Sequence, residues 1–312
     1  MHKRELDLHW RLRQAETMRL AGIHVPLITP FAPDGSVAAD ALEALAHSAL
    51  DKGAAGLVAL GTTGEPSALD DDERRRVVEI CASACRERGA TLIVGAGTNN
   101  TRSSADSLRS VRADAALVAV PHFVRPSEAG VLAHFRALAA ESPVPLIVYN
   151  IPYRTGQSVS AATLRGLAEI PGVVGVKHAV GGIDQDTVEL LAAPPHDFAV
   201  LCGDDVFAPA VLALGGHGAI LASAHLHTAA FVDLATAWRN GDVERARGLG
   251  NALAALSKTL FAEPSPTVLK GVLHAQGHIP TPDVRLPLLP ASAASVADAV
   301  NATQALTPVT AR

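Results

Sequence analysis

Eight short, near-continuously apolar runs recur along the chain, each parted from the next by a stretch of helical spacing. They are HVPLITPF (24–31), AGLVALG (55–61), TLIVGAG (91–97), AALVAVP (115–121), VPLIVYN (144–150), VVGVKHA (173–179), DFAVLCG (197–203) and GAILASA (218–224). Strands are apolar throughout, rather than alternating, when helices cover both faces of a parallel sheet. The step between runs is roughly 25–30 residues, the length of one βα unit. Eight such units predict an α/β fold, a (β/α)8 TIM barrel with a C-terminal helical appendage. The main rival is an open doubly wound sheet, which usually has fewer strands and a glycine fingerprint after the first. Here the first run leads into TPFAPDGSV, a turn with Pro and Asp-Gly.

The intervening stretches carry helix punctuation. DDDERRRVVEICASACRERG (70–89) begins with acids and ends with bases, which suits the helix dipole. Ser127 with Glu128, and Ser160, mark further helix starts. Residues 228–277 read as more helices and are followed by the Pro-rich GHIPTPDVRLPLLP. The expected organisation is an N-terminal helical extension over 1–20, barrel strands and helices over 21–227, and the last barrel helix with a C-terminal helical segment over 228–312.

Composition narrows the partners. The 312 residues are 48% hydrophobic, 18% charged and 4% aromatic, with a formal net charge of -5 and no long basic run. Nucleic acid is therefore not expected as a partner. MHKRELDLHWRLRQAETMRL lacks the apolar core of a signal peptide, and no run reaches the ~18 residues of a membrane span. The expected location is the cytoplasm. Three cysteines, Cys81, Cys85 and Cys202, do not form a disulfide framework, and the Cys81/Cys85 spacing reads as helix packing. His225 and His227 would need a third ligand such as Asp205 or His122 to hold zinc, and no metal is expected.

Catalytic residues of a barrel lie where strands end and βα loops begin. Lys177 ends an apolar run, where lysine is rare unless paired. Desolvation disfavours its ammonium form, and a neutral amine attacks a carbonyl to form a Schiff base. The alternatives are a lysine snorkelling to solvent or paired with Asp204 or Asp205. Tyr149, one of only two tyrosines, ends the preceding run and could pass protons to such an intermediate; otherwise it is a packing aromatic. In GTTGE (61–65), Gly61 and Gly64 allow a tight turn, and Thr62 and Thr63 offer donors for a carboxylate. Arg154, on the loop after Tyr149, matches a carboxylate bidentately or is a solvated surface charge.

Together, GTTGEPSAL, YNIPYRTG and GVKHA resemble, in this order, the pyruvate-dependent class I aldolases, the family of dihydrodipicolinate synthase and N-acetylneuraminate lyase. The C-terminal EPSPTVLKGVL and VRLPL resemble the synthase end of the family, and the resemblance covers roughly residues 22–290. It implies that Lys177 carries the Schiff base, with no other cofactor, and that Tyr149 shuttles protons. It implies that Thr62 and Thr63 contact this tyrosine and the pyruvate carboxylate, and that the backbone of Ile220 borders pyruvate. Arg154 matches an arginine that holds the second substrate's carboxylate. Phe123 departs from the pattern, standing where the family has a relay tyrosine that reaches across a dimer interface. Asp71, Arg74 and His122 also depart from the family's lysine-inhibited members, and only Asn99 agrees, so no feedback inhibition by lysine is expected.

Three functions follow from the resemblance and its departures. The first is condensation of pyruvate with L-aspartate-4-semialdehyde. The second, favoured by Phe123, is an aldolase or dehydratase acting on a 2-keto-3-deoxy sugar acid or related 2-oxo acid. The third is a catalytically silent barrel that binds 2-oxo acids. The implied assembly is a homotetramer built as a dimer of dimers.

Overall fold

A computed structural model of the chain describes residues 20–310. Residues 1–19, and with them the expected N-terminal helical extension, lie outside the described residues. Eight strands are present: β1 (Gly22–Pro26), β2 (Gly56–Ala59), β3 (Thr91–Ala96), β4 (Ala115–Ala119), β5 (Leu146–Asn150), β6 (Val173–His178), β7 (Ala199–Cys202) and β8 (Gly218–Ile220). They close a barrel in sequence order, and closure excludes the open doubly wound sheet.

Seven of the eight apolar runs contain their strand, β1 begins two residues before its run, and most runs overshoot the strand's carboxyl end. Leu27, Ile28 and Thr29 follow β1 and are all buried. The Leu27 amide still donates to the Val58 carbonyl of β2 at 3.0 Å, while the Ile28 amide donates to His225 Nε2 at 3.1 Å and Thr29 Oγ1 to the Gly64 carbonyl at 2.7 Å. Burial sets the apolar pattern, so the pattern runs on past the paired residues of each strand.

The helices form where their caps predict. The helix Asp71–Arg88 opens with a capping box between Asp70 and Glu73 and closes on Gly89, which takes the left-handed φ of 61°. Its buried face holds Val77, Ile80, Cys81, Ala84 and Cys85. Burial pushes the Cys81 thiol far above its ordinary range. Ser127 and Ser160 accept from the amides of Gly130 and Thr163, as N-caps of Glu128–Glu141 and Ala161–Ala168. Beyond β8 come helices Ala224–Asn240, Val243–Leu260 and Thr267–Ala275, then the Pro-rich stretch, then Ala293–Thr310.

The chain packs as two compact units. One contains Ile93–Asp204 and Val211–Ala219; the other contains Gly22–Leu92, Asp205–Ala210 and the residues from Ile220 on. Phe135 and Leu138 are fully buried in the first, Phe31 and Phe231 in the second. Each such side chain contributes about 1.5–3 kcal/mol relative to exposure. In the second unit the Leu221 amide donates to the His24 carbonyl at 3.1 Å, which joins the end of β8 to β1.

Candidate active site

In the first unit β5 and β6 pair in parallel with Tyr149 opposite Lys177 and Asn150 opposite His178. Successive side chains on a strand point to opposite faces. His178 faces the helix layer, its Nε2 2.9 Å from Thr187 Oγ1 on helix Gln185–Ala192. Lys177 therefore faces the barrel interior. It is only 5% exposed, and its Nζ lies 4.4 Å from the centroid of the Tyr149 ring, itself 8% exposed.

Glycine makes room for this lysine. A Cβ at Gly203, just past β7, would stand 2.8 Å from both Cγ and Cε of Lys177 and 2.9 Å from Ala179 Cβ. The lysine stem lies over the backbone at that point. Asp204 follows. Burial pushes its carboxyl above the usual carboxylate range, against the opposing pull of the Gly181 amide and the Lys177 charge. The Gly181 N–H donates to Asp204 Oδ2 at 2.6 Å. A primary amine shielded from water and laid against a phenol can attack a carbonyl carbon and have the attendant protons passed on.

Arg154 sits on the one-turn helix Pro152–Thr155 directly after β5. Pro152 starts this helix and Gly156 ends it with a left-handed φ of 75°. Arg154 is exposed, and its Nε donates to Tyr153 Oη at 3.2 Å. Its guanidinium carbon stands 5.2 Å from the Tyr153 ring centroid. Phe123 is 88% exposed on the loop after β4, at a positive φ of 66°. Its amide donates to the Thr155 carbonyl at 3.2 Å, tying that loop to the one carrying Arg154. A phenyl ring has no proton to relay.

In the second unit, residues Gly61 to Glu65 form a tight turn. The Gly64 and Glu65 amides donate to the Gly61 and Thr62 carbonyls at 2.9 and 3.2 Å. The amides of Thr62 and Thr63 stand at the open end of this turn. Thr63 is buried and Thr62 exposed. The left-handed residues are Leu60 and Glu65 rather than the two glycines. Gly64 is needed for another reason: a Cβ there would stand 3.0 Å from the Leu27 carbonyl. Ile220 ends β8 and is buried.

Sequence reasoning missed what holds this turn. Glu65 is buried, and its Oε1 accepts from Lys270 Nζ at 2.5 Å while Oε2 accepts from the Arg285 amide at 2.9 Å. Lys270 is 0% exposed, also donates to the Asp283 carbonyl at 2.8 Å, and lies 4.1 Å from the Phe31 ring centroid. Burial lowers its pKa, against the raising effect of Glu65. The signal was a lysine inside the apolar VLKGVL (268–273).

Among the described residues no group of three or more His, Cys, Asp or Glu is placed to hold a metal ion. His225 is taken up by backbone: Nε2 accepts from the Ile28 amide at 3.1 Å, and Nδ1 lies 2.8 Å from the Ala222 carbonyl. No helix among the described residues is long and apolar enough to cross a membrane.

A family model described as the dihydrodipicolinate synthetase family matches residues 19–305. The chain belongs to this family. Among its dihydrodipicolinate synthetase relatives, the 4-hydroxy-tetrahydrodipicolinate synthase of Neisseria gonorrhoeae is 39% identical over 274 residues, covering 87% of this chain and 93% of the relative. Synthase 2 of Clostridium acetobutylicum is 36% identical over 278 residues, covering 88% and 96%. The dihydrodipicolinate synthase of Thermotoga maritima matches with a TM-score of 0.88 at 29% identity, covering 94% of this chain and 99% of that one. The chloride-inhibited synthase of Acinetobacter baumannii, solved in complex with pyruvate, matches with a TM-score of 0.86 at 34% identity, covering 93% and 99%.

Proposed function

We propose that this chain is a 4-hydroxy-tetrahydrodipicolinate synthase that condenses pyruvate with L-aspartate-4-semialdehyde through a Schiff base on Lys177. The observation that carries the reading is the buried Lys177 amine, 4.4 Å from the Tyr149 ring, in a chain of the dihydrodipicolinate synthetase family. Lys177 Nζ adds to C2 of pyruvate and water leaves, giving an iminium. The positive nitrogen draws electrons from C3, which gives up a proton and becomes an enamine carbon. That carbon bonds to the aldehyde carbon of the semialdehyde, whose oxygen takes up a proton. Attack of the adduct's own amine on C2 then closes the ring and frees Lys177. The iminium is the electron sink, so the reaction calls on no metal or organic cofactor.

In this reading Tyr149 and Thr62 move the protons. Thr63, Gly61, Gly64 and the backbone of Ile220 border the pyruvate, and Arg154 pairs with the semialdehyde's carboxylate. Water or His122 takes the relay place that Phe123 leaves empty. The catalytic barrel spans 21–227, and 228–312 supplies its last helix and the C-terminal helical segment. The enzyme works in the cytoplasm as a homotetramer, a dimer of dimers. Exposed Phe123 and Val124, at 88% and 59%, support an association face, which sedimentation equilibrium tests.

Borohydride added in the presence of pyruvate should leave a three-carbon adduct on Lys177; an unmodified lysine ends the proposal. The lack of a hydroxyl at Phe123 favours a second reading, retro-aldol cleavage or dehydration of a 2-keto-3-deoxy sugar acid through the same iminium. Side-by-side turnover of aspartate semialdehyde and a panel of such acids separates the two.

A further inference from the structure

We infer that Tyr153 is a positioning residue for Arg154 and thereby sets the preference for a second substrate that carries a carboxylate. The inference rests on the synthase reading above. An arginine offers five N–H donors on a planar fork, and its best grip on a carboxylate is bidentate. Tyr153 engages the fork in two ways, accepting from Nε at 3.2 Å and placing its ring 5.2 Å from the guanidinium carbon. A contact through Nε alone leaves Nη1 and Nη2, which make no hydrogen bond among the described residues, as one unbroken edge for a ligand. The ring contact restrains the plane of that edge in a side chain that otherwise samples many rotamers.

The backbone beneath is stiff. Pro152 fixes the first turn, Thr155 Oγ1 donates to the Ile151 carbonyl at 3.2 Å, and Gly156 closes the turn. Tyr153 is 64% exposed, on the short helix that directly follows β5 and Tyr149. The pair therefore follows closely on the residue that faces Lys177, and a phenol, with an ordinary pKa of about 10, is protonated at neutral pH and able to accept from Nε.

Steady-state kinetics on the full chain test this with L-aspartate-4-semialdehyde and pyruvate varied separately. Tyr153→Phe should raise KM for the semialdehyde about three- to tenfold, the scale of one ordinary net hydrogen bond, since the contact is exposed to water, and Tyr153→Ala should raise it further. KM for pyruvate and kcat should stay within about twofold, since uniform binding of one substrate is what is lost. In an Arg154→Ala background Tyr153→Phe should add nothing. An unchanged semialdehyde KM, an equal rise for both substrates, or the same rise without Arg154 would overturn the inference. The Lys177 adduct is scored in parallel. An adduct with unaltered KM sinks this inference alone. No adduct sinks the synthase reading and this inference with it. An adduct without turnover of aspartate semialdehyde by the wild type removes the substrate, and the assignment of Tyr153 falls too.

Discussion

Lys270 and Glu65, 205 residues apart in sequence, form an ion pair closed to water: Nζ to Oε1 is 2.5 Å, and the side chains are 0% and 2% exposed. The pair holds the left-handed residue that ends the Thr62–Gly64 turn. Breaking one side of a buried pair leaves an uncompensated charge and costs about 3–5 kcal/mol. Lys270→Met should lose stability on that scale, while Glu65→Leu combined with Lys270→Met should lose less than either change alone. Urea unfolding midpoints measure both, and a loss under about 1 kcal/mol in Lys270→Met would contradict the pair's structural weight.

Gly203→Ala should impair catalysis and folding together. The new methyl would meet the buried Ala179 Cβ at 2.9 Å, which costs stability, and Lys177 Cγ and Cε at 2.8 Å, where the lysine stem is displaced. Its amine would then leave the face of Tyr149. We expect kcat/KM to fall at least about tenfold and the borohydride adduct to form more slowly, a cost of about 1.4 kcal/mol in transition-state binding. Wild-type kinetics in this variant would show that the stem has room elsewhere.

Acid should weaken the fold through its buried histidines. Burial lowers His225 from 6.5 to about 4 in the folded chain. Between those values the unfolded chain takes up a proton that the folded chain refuses, so stability falls as pH drops from 6.5 towards 4 and is flat above. His225 alone should contribute about 3 kcal/mol of loss by pH 4. His134, His178, His217 and His227 are shifted the same way by burial. Urea midpoints at pH 7, 6 and 5 should decline in order; a constant midpoint would contradict this.

Free lysine should not inhibit. Asp71 is engaged with Arg74 on the helix surface at 3.1 Å, and the His122 amide donates to Asn99 Oδ1 at 3.0 Å. By the resemblance drawn from the sequence, Asp71, Arg74 and His122 depart from the family's lysine-inhibited members, and Asn99 alone agrees with them. Titrating L-lysine into the condensation assay should leave the rate unchanged, and saturable inhibition would refute the expectation.

The barrel was legible because strand burial writes itself as unbroken apolar runs. Strand ends were less legible, since Leu27 and Ile28, past the end of β1, are as buried as Val25 within it. Lys177 stood out as a charge in an apolar run, with Tyr149 at the end of the run before it. The same logic applied to Lys270 would have found a buried lysine, but not its partner, because nothing local in VLKGVL points to a carboxylate 205 residues away. Tyr153 escaped for a different reason. Adjacent residues on a helix normally diverge, and only the short turn after β5 brings its phenol to the Arg154 Nε.

The unit that contains Gly22–Leu92 also contains the residues from Ile220 on. A ribosome releases these two parts in order, with more than a hundred residues between them. Until Leu221 emerges, β1 lacks its last neighbour, and until Lys270 emerges the Glu65 carboxylate has no cation at its side. The nascent chain must therefore carry an unfinished first quarter through most of its synthesis, and chaperone dependence should track translation of the final third.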